Sequence, residues 1–417
     1  MDDMLFMTFL CYYAHEQQRK NALAEDARRR RRYRRFRSNL SAEGQHRRDR
    51  RIPRASLSMP WDSPWQMIFG SANDQSLITL TGFDCESFNL LHGLFLPLFN
   101  RLTPHSRQQN GCVAVLQRQI GGELVGRGRK RIITSEACLA LLLVYNRTTV
   151  PNFMLSVLFG VTGTAVTVYI RFARSIVIHL LSNHPLAQIT LPTNEKVAEY
   201  KQAIAAKYPL LENVYCVCDG LRISIQAAGQ PHVQRRYYNG WQKEHCIANI
   251  FVFAPDGTII AAVLNCPGCM HDSQVAELGF VYAKLEEVYE RVPGGAKCVM
   301  DSAFSSVGKP YVLKSIQAQH RAENAQQYMM YEEATSMRQA AEWGMHGMQS
   351  SFGRLKGTLR YETEGQRSLI LLSIVFLHNW RANTVGLNQI QTVFMPHLTK
   401  NVDRYIFGNE YGNNEEE

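Results

Sequence analysis

ENVYCVCDG, residues 212–220, and KCVMDSAF, residues 297–304, are the two stretches on which the reading of this 417-residue chain turns. In each, a short run of β-branched, aromatic and sulfur-bearing residues ends in an aspartate, Asp219 or Asp301. Residues 214–218 and 298–300 have the composition of buried strands. An acid at a strand end projects from rigid backbone into the space beside a sheet, where a carboxylate meets a cation instead of burying an unpaired charge. Each also has a purely structural reading: Asp219-Gly220 as a turn former, Asp301-Ser302 as a helix N-cap.

Working outward, residues 222–226 and 247–254 read as further strands, and Asp256-Gly257 as a hairpin turn into a strand over 258–264. A helix is expected over 272–291, another around 338–356, and a strongly apolar one over 367–383. Antiparallel strands, helix, strand and helices in this order resemble a ribonuclease-H-like core, an α/β (α+β) class. Glu342, in AEWGMHGMQSSFGRLKG (residues 341–357), falls early on a predicted helix. Two strand-end aspartates and a helical glutamate are hard oxygen donors that favour Mg²⁺ or Mn²⁺ over zinc. Phosphoryl transfer on DNA asks for two such cations about 3.5–4 Å apart, held by carboxylates.

Before this core, residues 77–191 carry helical patterning. Thr134 and Ser135 precede an apolar helix over 136–145. Pro151 suits the first turn of a second, which Gly160 ends, and Thr162 caps a third running to about 181. Helix, short glycine turn, helix within 134–181 is the spacing of a helix-turn-helix. Its third helix would offer Arg171 and Arg174 to DNA; the other reading is an ordinary helical hairpin packed on its neighbours.

The charge is uneven. Between Arg19 and Arg54 stand 15 Lys and Arg against four acids, while the rest of the chain has 31 basic and 32 acidic residues. The arm holds Arg28, Arg29, Arg30, Arg31, Arg32, Arg34 and Arg35. Such a run resists compact folding and suits a polyanion, as a DNA-binding arm or a nuclear-import signal. No apolar stretch reads as a membrane span. Residues 4–13 follow two aspartates and lack a basic leader and a cleavage site, which argues against secretion. The ten cysteines read as reduced thiols. Cys216 with Cys218, and Cys266 with Cys269, are weighed as zinc pairs and set aside for a strand face and a loop.

The blocks VYCVCDG, NCPGCMHDSQV, CVMDSAF, AEWGMHGMQSSFGRLKG and LHNWR, in this order over roughly 200–388, resemble the nuclease domain of PIF/Harbinger transposases. TGFDCESFNLL (residues 81–91) and the helix-turn-helix segment resemble that family's N-terminal region. The resemblance implies that Asp219, Asp301 and Glu342 are catalytic acids holding two divalent metals. It places His271 near the site and Asp272 at the cap of the following helix, both supporting the acids from behind. It also implies double-stranded DNA as substrate, a Myb-like accessory partner, a homo-oligomer, no membrane, and the nucleus as location.

Two positions depart from the family pattern. Arg222 replaces a usual Thr/His-type pair, and either contacts a phosphate or lies on a strand face. Many relatives place the third glutamate where Gln349 stands here; Glu342 lies two helical turns earlier on nearly the same face, with Glu332 and Glu333 as weaker substitutes in a polar insertion. Arg354 and Lys356 either approach phosphates or lie on a solvated face. The expected organisation is a basic arm (1–60), a helical region (61–195), the nuclease core (200–390) and a tail (391–417). Three functions compete: a transposase that cleaves and joins, an inactive DNA-binding descendant, and a metal-dependent nuclease that does not join.

Overall fold

The computed structural model describes residues 52–102, 104, 131–227, 231–314, 325–359 and 363–399. Two units divide the chain, Met1–Ser56 and Leu57–Glu417, and the elements that follow all lie in the second. The arginine run and most of the expected tail fall outside the described residues.

The helical part begins with α1 (Pro64–Gly70), α2 (Asp74–Thr81) and α3 (Cys85–Arg101). The Asn73 side chain caps α2 and Asp84 caps α3, each accepting from a backbone N–H three residues on. There follow α4 (Ser135–Arg147), α5 (Asn152–Phe159) and α6 (Gly163–Leu181), close to the boundaries expected from Thr134, Pro151, Gly160 and Thr162. Gly160 closes α5 at φ +64, and a Cβ there would lie 2.8 Å from the Ser58 carbonyl oxygen, so backbone crosses directly over the turn. By length and composition α6 could cross a membrane, contrary to the expectation that no stretch would qualify. Its apolar side instead packs on α3, α4 and α5, and on the later helix α12 (Glu364–Thr384).

α7 (Asn194–Ala205), capped by Thr193, leads into the sheet; no element was expected there. The strands are β1 (Val214–Ser224), β2 (Tyr238–Asn239), β3 (Glu244–Phe253), β4 (Ile259–Pro267), β5 (Lys297–Met300) and β6 (Val312–Lys314), with a short helix, α8 (Pro231–Tyr237), between β1 and β2. β4, β3 and β1 run antiparallel side by side, and β5 and β6 add parallel to β1. This mixed sheet, with helices packed against it, is a ribonuclease-H-like core, so the α/β class holds.

Three local expectations need correcting. Residues 214–218 and 222–226 are not two strands: β1 is continuous, and Asp219-Gly220 lies inside it without a turn. The expected helix over 272–291 is two, α9 (Asp272–Leu278) and α10 (Val281–Arg291). Between them a Cβ on Gly279 would meet the Val263 side chain at 2.1 Å, and Phe280 turns left-handed at φ 56. The helix expected over 338–356 is α11 (Ala325–Ser351), so the supposed insertion holding Glu332 and Glu333 is helical.

α11 crosses the sheet over β1, β3, β5 and β6. Ala334, Met337, Ala340, Ala341, Gly344, Met348 and Ser351 are buried along its length at helical spacing. Small residues bring the helix close: a Cβ on Gly344 would fall 2.8 Å from the Phe253 ring. Its C-terminal end is tied to the helical part from both sides. Arg147 donates to the carbonyls of Ser350 and Ser351, and Arg354 donates to those of Tyr145 and Val150. The LHNWR block packs as expected. Asn379 pairs with both backbone groups of Ile259 in β4, and His378 Nε2 lies 3.1 Å from the Gly257 carbonyl oxygen.

Candidate active site

The register of β1 and β5 decides where the acids meet. Cys218 of β1 lies opposite Met300 of β5, and the next residue on each parallel strand is the aspartate. Adjacent strands lie about 4.8 Å apart, so Asp219 and Asp301 leave the sheet side by side. β5 stops at Met300 while β1 continues to Ser224 against β3. β1 is buried from Val214 to Cys218 and half-open from Asp219 to Arg222. The acids therefore stand where the sheet opens.

Asp272 joins them from the other side. A Cβ on Gly220 would lie 2.9 Å from the Asp272 carboxyl carbon and from one of its oxygens, so the glycine exists to let this carboxylate reach the strand. The N-cap of α9 is His271, with the Gln274 side chain accepting from its N–H at 3.2 Å. Asp272 is thus not the cap expected. Its carboxylate accepts instead from Arg222 Nη2 at 2.9 Å, and the same guanidinium donates to the carbonyls of Gly268 and Met270. This corrects the reading of Arg222 as a phosphate contact: its donors hold the Gly268–Asp272 loop against β1.

The Asp219 carboxyl is pushed up to about 6, by burial above all; the Gly220 N–H and Arg338 oppose the rise, and Asp301 and Asp272 add to it. Asp272 is raised as well, by burial first, against the pull of Arg222. Burial and mutual repulsion both disfavour the ionised carboxylates here, and a nearby positive charge offsets both.

Glu342 arrives by a different route. On α11, Arg338 donates from Nη2 to its carboxylate at 2.8 Å, one helical turn on, and places Nη1 3.6 Å from Asp219 Oδ2. The guanidinium spans the two carboxylates. Asp219 is 14% exposed at its side chain and Glu342 51%, so the strand acid is enclosed and the helix acid faces water. Glu333 is occupied elsewhere, accepting from the Leu210 N–H at 2.9 Å, and Glu332 is exposed. Among the described residues, no three of His, Cys, Asp and Glu are gathered closely enough to hold a metal ion. The structure brings Asp219, Asp301 and Asp272 into one neighbourhood and ropes Glu342 to it through Arg338. Arg338 escaped the sequence reading, although an Arg four residues before a Glu on a helix is a recognisable pair.

The remaining basic candidates divide by burial. Arg174 is 4% exposed and sits over the Tyr145 ring, so it is a core residue and not a DNA contact. Arg354 lies in a 3-10 turn, Gly353–Leu355, beyond the end of α11. With its guanidinium 4.0 Å from the Tyr145 ring centre and its donors on backbone, it is a packing residue too. Arg171 and Lys356 are exposed. Of the cysteines weighed as zinc pairs, Cys216 and Cys218 are buried in β1, Cys266 is half-buried and Cys269 is exposed, and none is joined in a disulfide.

Residues 218–379 match the family model of the DDE superfamily endonuclease, a span that begins one residue before Asp219 and ends at Asn379. No curated protein matches the chain significantly. Among solved structures, a pre-cleavage Mos1 transpososome aligns at 10% identity over 76% of this chain and 98% of that one, with a TM-score of 0.22, a likeness too slight to bear on the fold.

Proposed function

We propose that the chain is a metal-dependent DNA transposase of the PIF/Harbinger kind, which cleaves element ends and joins the resulting 3′-hydroxyl to target DNA. The observation that carries this reading is the emergence of Asp219 and Asp301 side by side from neighbouring parallel strands, within a segment matching the DDE endonuclease family, with Glu342 bridged to Asp219 by Arg338.

By donor type, though not by their spacing as they stand, the acids suit a hard divalent cation. All the donors are carboxylate oxygens, and Arg338 already places positive charge between two of them. Asp219 and Asp301 would hold Mg²⁺ or Mn²⁺, with Glu342 completing the set once Arg338 yields its place. Two bound ions would activate the attacking oxygen and neutralise the leaving one. The chain's own part is to keep the carboxylates fixed on strand backbone and to brace them through Asp272 and Arg222. The joining step, the choice of Mg²⁺ or Mn²⁺, nuclear location, oligomeric assembly and a Myb-like partner belong to the same proposal, with Arg171, Lys356 and the Arg28–Arg35 run as candidate DNA contacts.

The test is cleavage and strand transfer by the purified full chain on DNA carrying whatever terminal inverted repeats flank its gene, with Mg²⁺, Mn²⁺ or EDTA. Metal-dependent cuts lost in Asp219→Asn and Asp301→Asn support the reading. Cuts unaffected by both changes overturn it. Cutting without joining leaves a nuclease, and salt-dependent binding without cutting leaves a DNA-binding descendant.

A further inference from the structure

The turn between β2 and β3 carries the most exposed large hydrophobic side chain among the described residues: Trp241, 94% exposed. Leaving an indole in water forfeits roughly 2 kcal/mol or more of burial, and nothing in the turn's own geometry requires it. The turn is built without help from the ring. Asn239 Oδ1 accepts from the N–H groups of Trp241 and Gln242 at 3.0 and 2.9 Å, and Lys243 adopts a left-handed conformation at φ 54. Asn239 itself is buried, and its Nδ2 donates to the Gly268 carbonyl at 2.8 Å, the same oxygen that takes Arg222 Nη1. A short chain of hydrogen bonds thus fixes the turn to the loop that carries Asp272.

The surroundings are basic and aromatic. Lys243 is exposed on the turn, Arg235 and Arg236 are exposed in the last turn of α8, which leads into β2, and Tyr238, 43% exposed, stands against the His245 ring. Glu244, the acid among them, is engaged by the Ser224 hydroxyl at 2.9 Å. An aromatic face among cations is the composition of a surface that takes a nucleic-acid strand: cations hold phosphates, and a base stacks on the ring. Distance fits as well. Asp219 lies opposite Phe251, and β3 begins at Glu244. At about 3.3 Å per residue the turn begins roughly 23 Å along the strands from the acids, the length of about six to seven nucleotides at ~3.4 Å each.

We propose that Trp241 is a stacking platform for an unpaired base in DNA engaged at the acidic site, with Arg235, Arg236 and Lys243 holding the flanking phosphates. This rests on the reading of the chain as a DNA-cutting enzyme and adds where the substrate is gripped. A base inside an intact duplex offers no free face, so the platform selects DNA that is single-stranded or frayed near the cut.

The experiment is equilibrium binding of the full chain, by fluorescence anisotropy in EDTA, to two labelled oligonucleotides of equal length. One is a blunt duplex; the other carries a six-nucleotide single-stranded end. Trp241→Ala should weaken binding to the second roughly ten- to hundredfold, leave the first within about threefold, and be rescued by Trp241→Phe. Replacing Arg235, Arg236 and Lys243 together by alanine should weaken both and lower the salt slope by about 2 to 3. Equal binding by Trp241→Ala and the parent overturns the proposal, as does equal loss on both DNAs. A change of oligomeric state in Trp241→Ala, with DNA binding intact, assigns the ring to a protein interface and overturns it too. Because binding is read without cleavage, a chain that binds through Trp241 but never cuts would refute the enzymatic reading and leave the platform standing.

Discussion

The strand edge and the helix α11 hold their acids in opposite ways. Asp219 and Asp301 are placed by the backbone: the pairing of β1 with β5 sets them level, and no side chain has to adopt a particular rotamer for them to be neighbours. Glu342 is placed by a side chain, the Arg338 guanidinium, on a surface half open to water. Ladder hydrogen bonds are cooperative and buried, whereas an exposed pair one helical turn apart is worth only about 0.3–0.5 kcal/mol. The strand acids form a fixed half of the site and the helix acid an adjustable half.

The largest effect should therefore come from the fixed half. Asp219→Asn or Asp301→Asn should each reduce metal-dependent DNA cleavage by about 10³-fold or more, measured as single-turnover cutting of an end-bearing duplex. A drop in only one of the two would break their equivalence. Glu342→Gln should cost about 10²-fold in the same assay, while Glu332→Gln stays near the parent. Glu333→Gln should lower stability slightly through the Leu210 N–H it accepts, without a specific loss of cutting. If Glu342→Gln cuts normally, the adjustable half is not Glu342, and Gln349 and Asp272 become the positions to probe.

How much of this division was legible beforehand follows the same line. Alternation and β-branching exposed the strands, and caps at Thr134, Thr162 and the Gly160 stop exposed the helices, because those signals are local. Asp219 was read as closing a strand since Asp-Gly is turn chemistry. Pairing with β3 through Ser224 overrode that propensity, and the glycine answers to the Asp272 carboxylate instead. Sequence leaves Arg174, Arg222 and Arg354 each with a DNA-contact reading beside a structural one, because it shows sign but not burial. All three bind groups remote in the chain, the Tyr145 ring, the Gly268–Asp272 loop and the Tyr145 and Val150 carbonyls. Arg338 was the missed case, a local pair whose second partner lies 119 positions away across the fold.

Stability against pH should separate the halves again. The Asp219 carboxyl, raised from 3.8 to about 6 by burial, holds its proton more tightly folded than unfolded. The folded state is then penalised as pH rises through that interval, and above it the full cost, at most about 3 kcal/mol, is present. Asp219→Asn removes the charge, so its thermal midpoint in EDTA should exceed that of the parent at pH 7, and the difference should vanish toward pH 4. Glu342 is half in water and its pair with Arg338 is exposed, so Glu342→Gln should move the midpoint by under about a degree or two at either pH. Equal stabilisation by both substitutions would show that enclosure does not distinguish them.

The smallest effect concerns the link itself. If Arg338 stands in the place a metal takes between Asp219 and Glu342, its removal should make metal binding easier, because the ion no longer displaces a guanidinium. The contacts are a 2.8 Å pair to an exposed carboxylate and a 3.6 Å approach to an enclosed one. Together they suggest about 0.5–1 kcal/mol, or two- to fivefold tighter Mn²⁺ binding by Arg338→Gln in isothermal titration. The titration belongs at pH 8, since loss of Arg338 also removes one influence that keeps the Asp219 carboxyl from rising further. Weaker binding in Arg338→Gln would mean that the guanidinium positions Glu342 for the metal, and the helix half of the site would then be preset like the strand half.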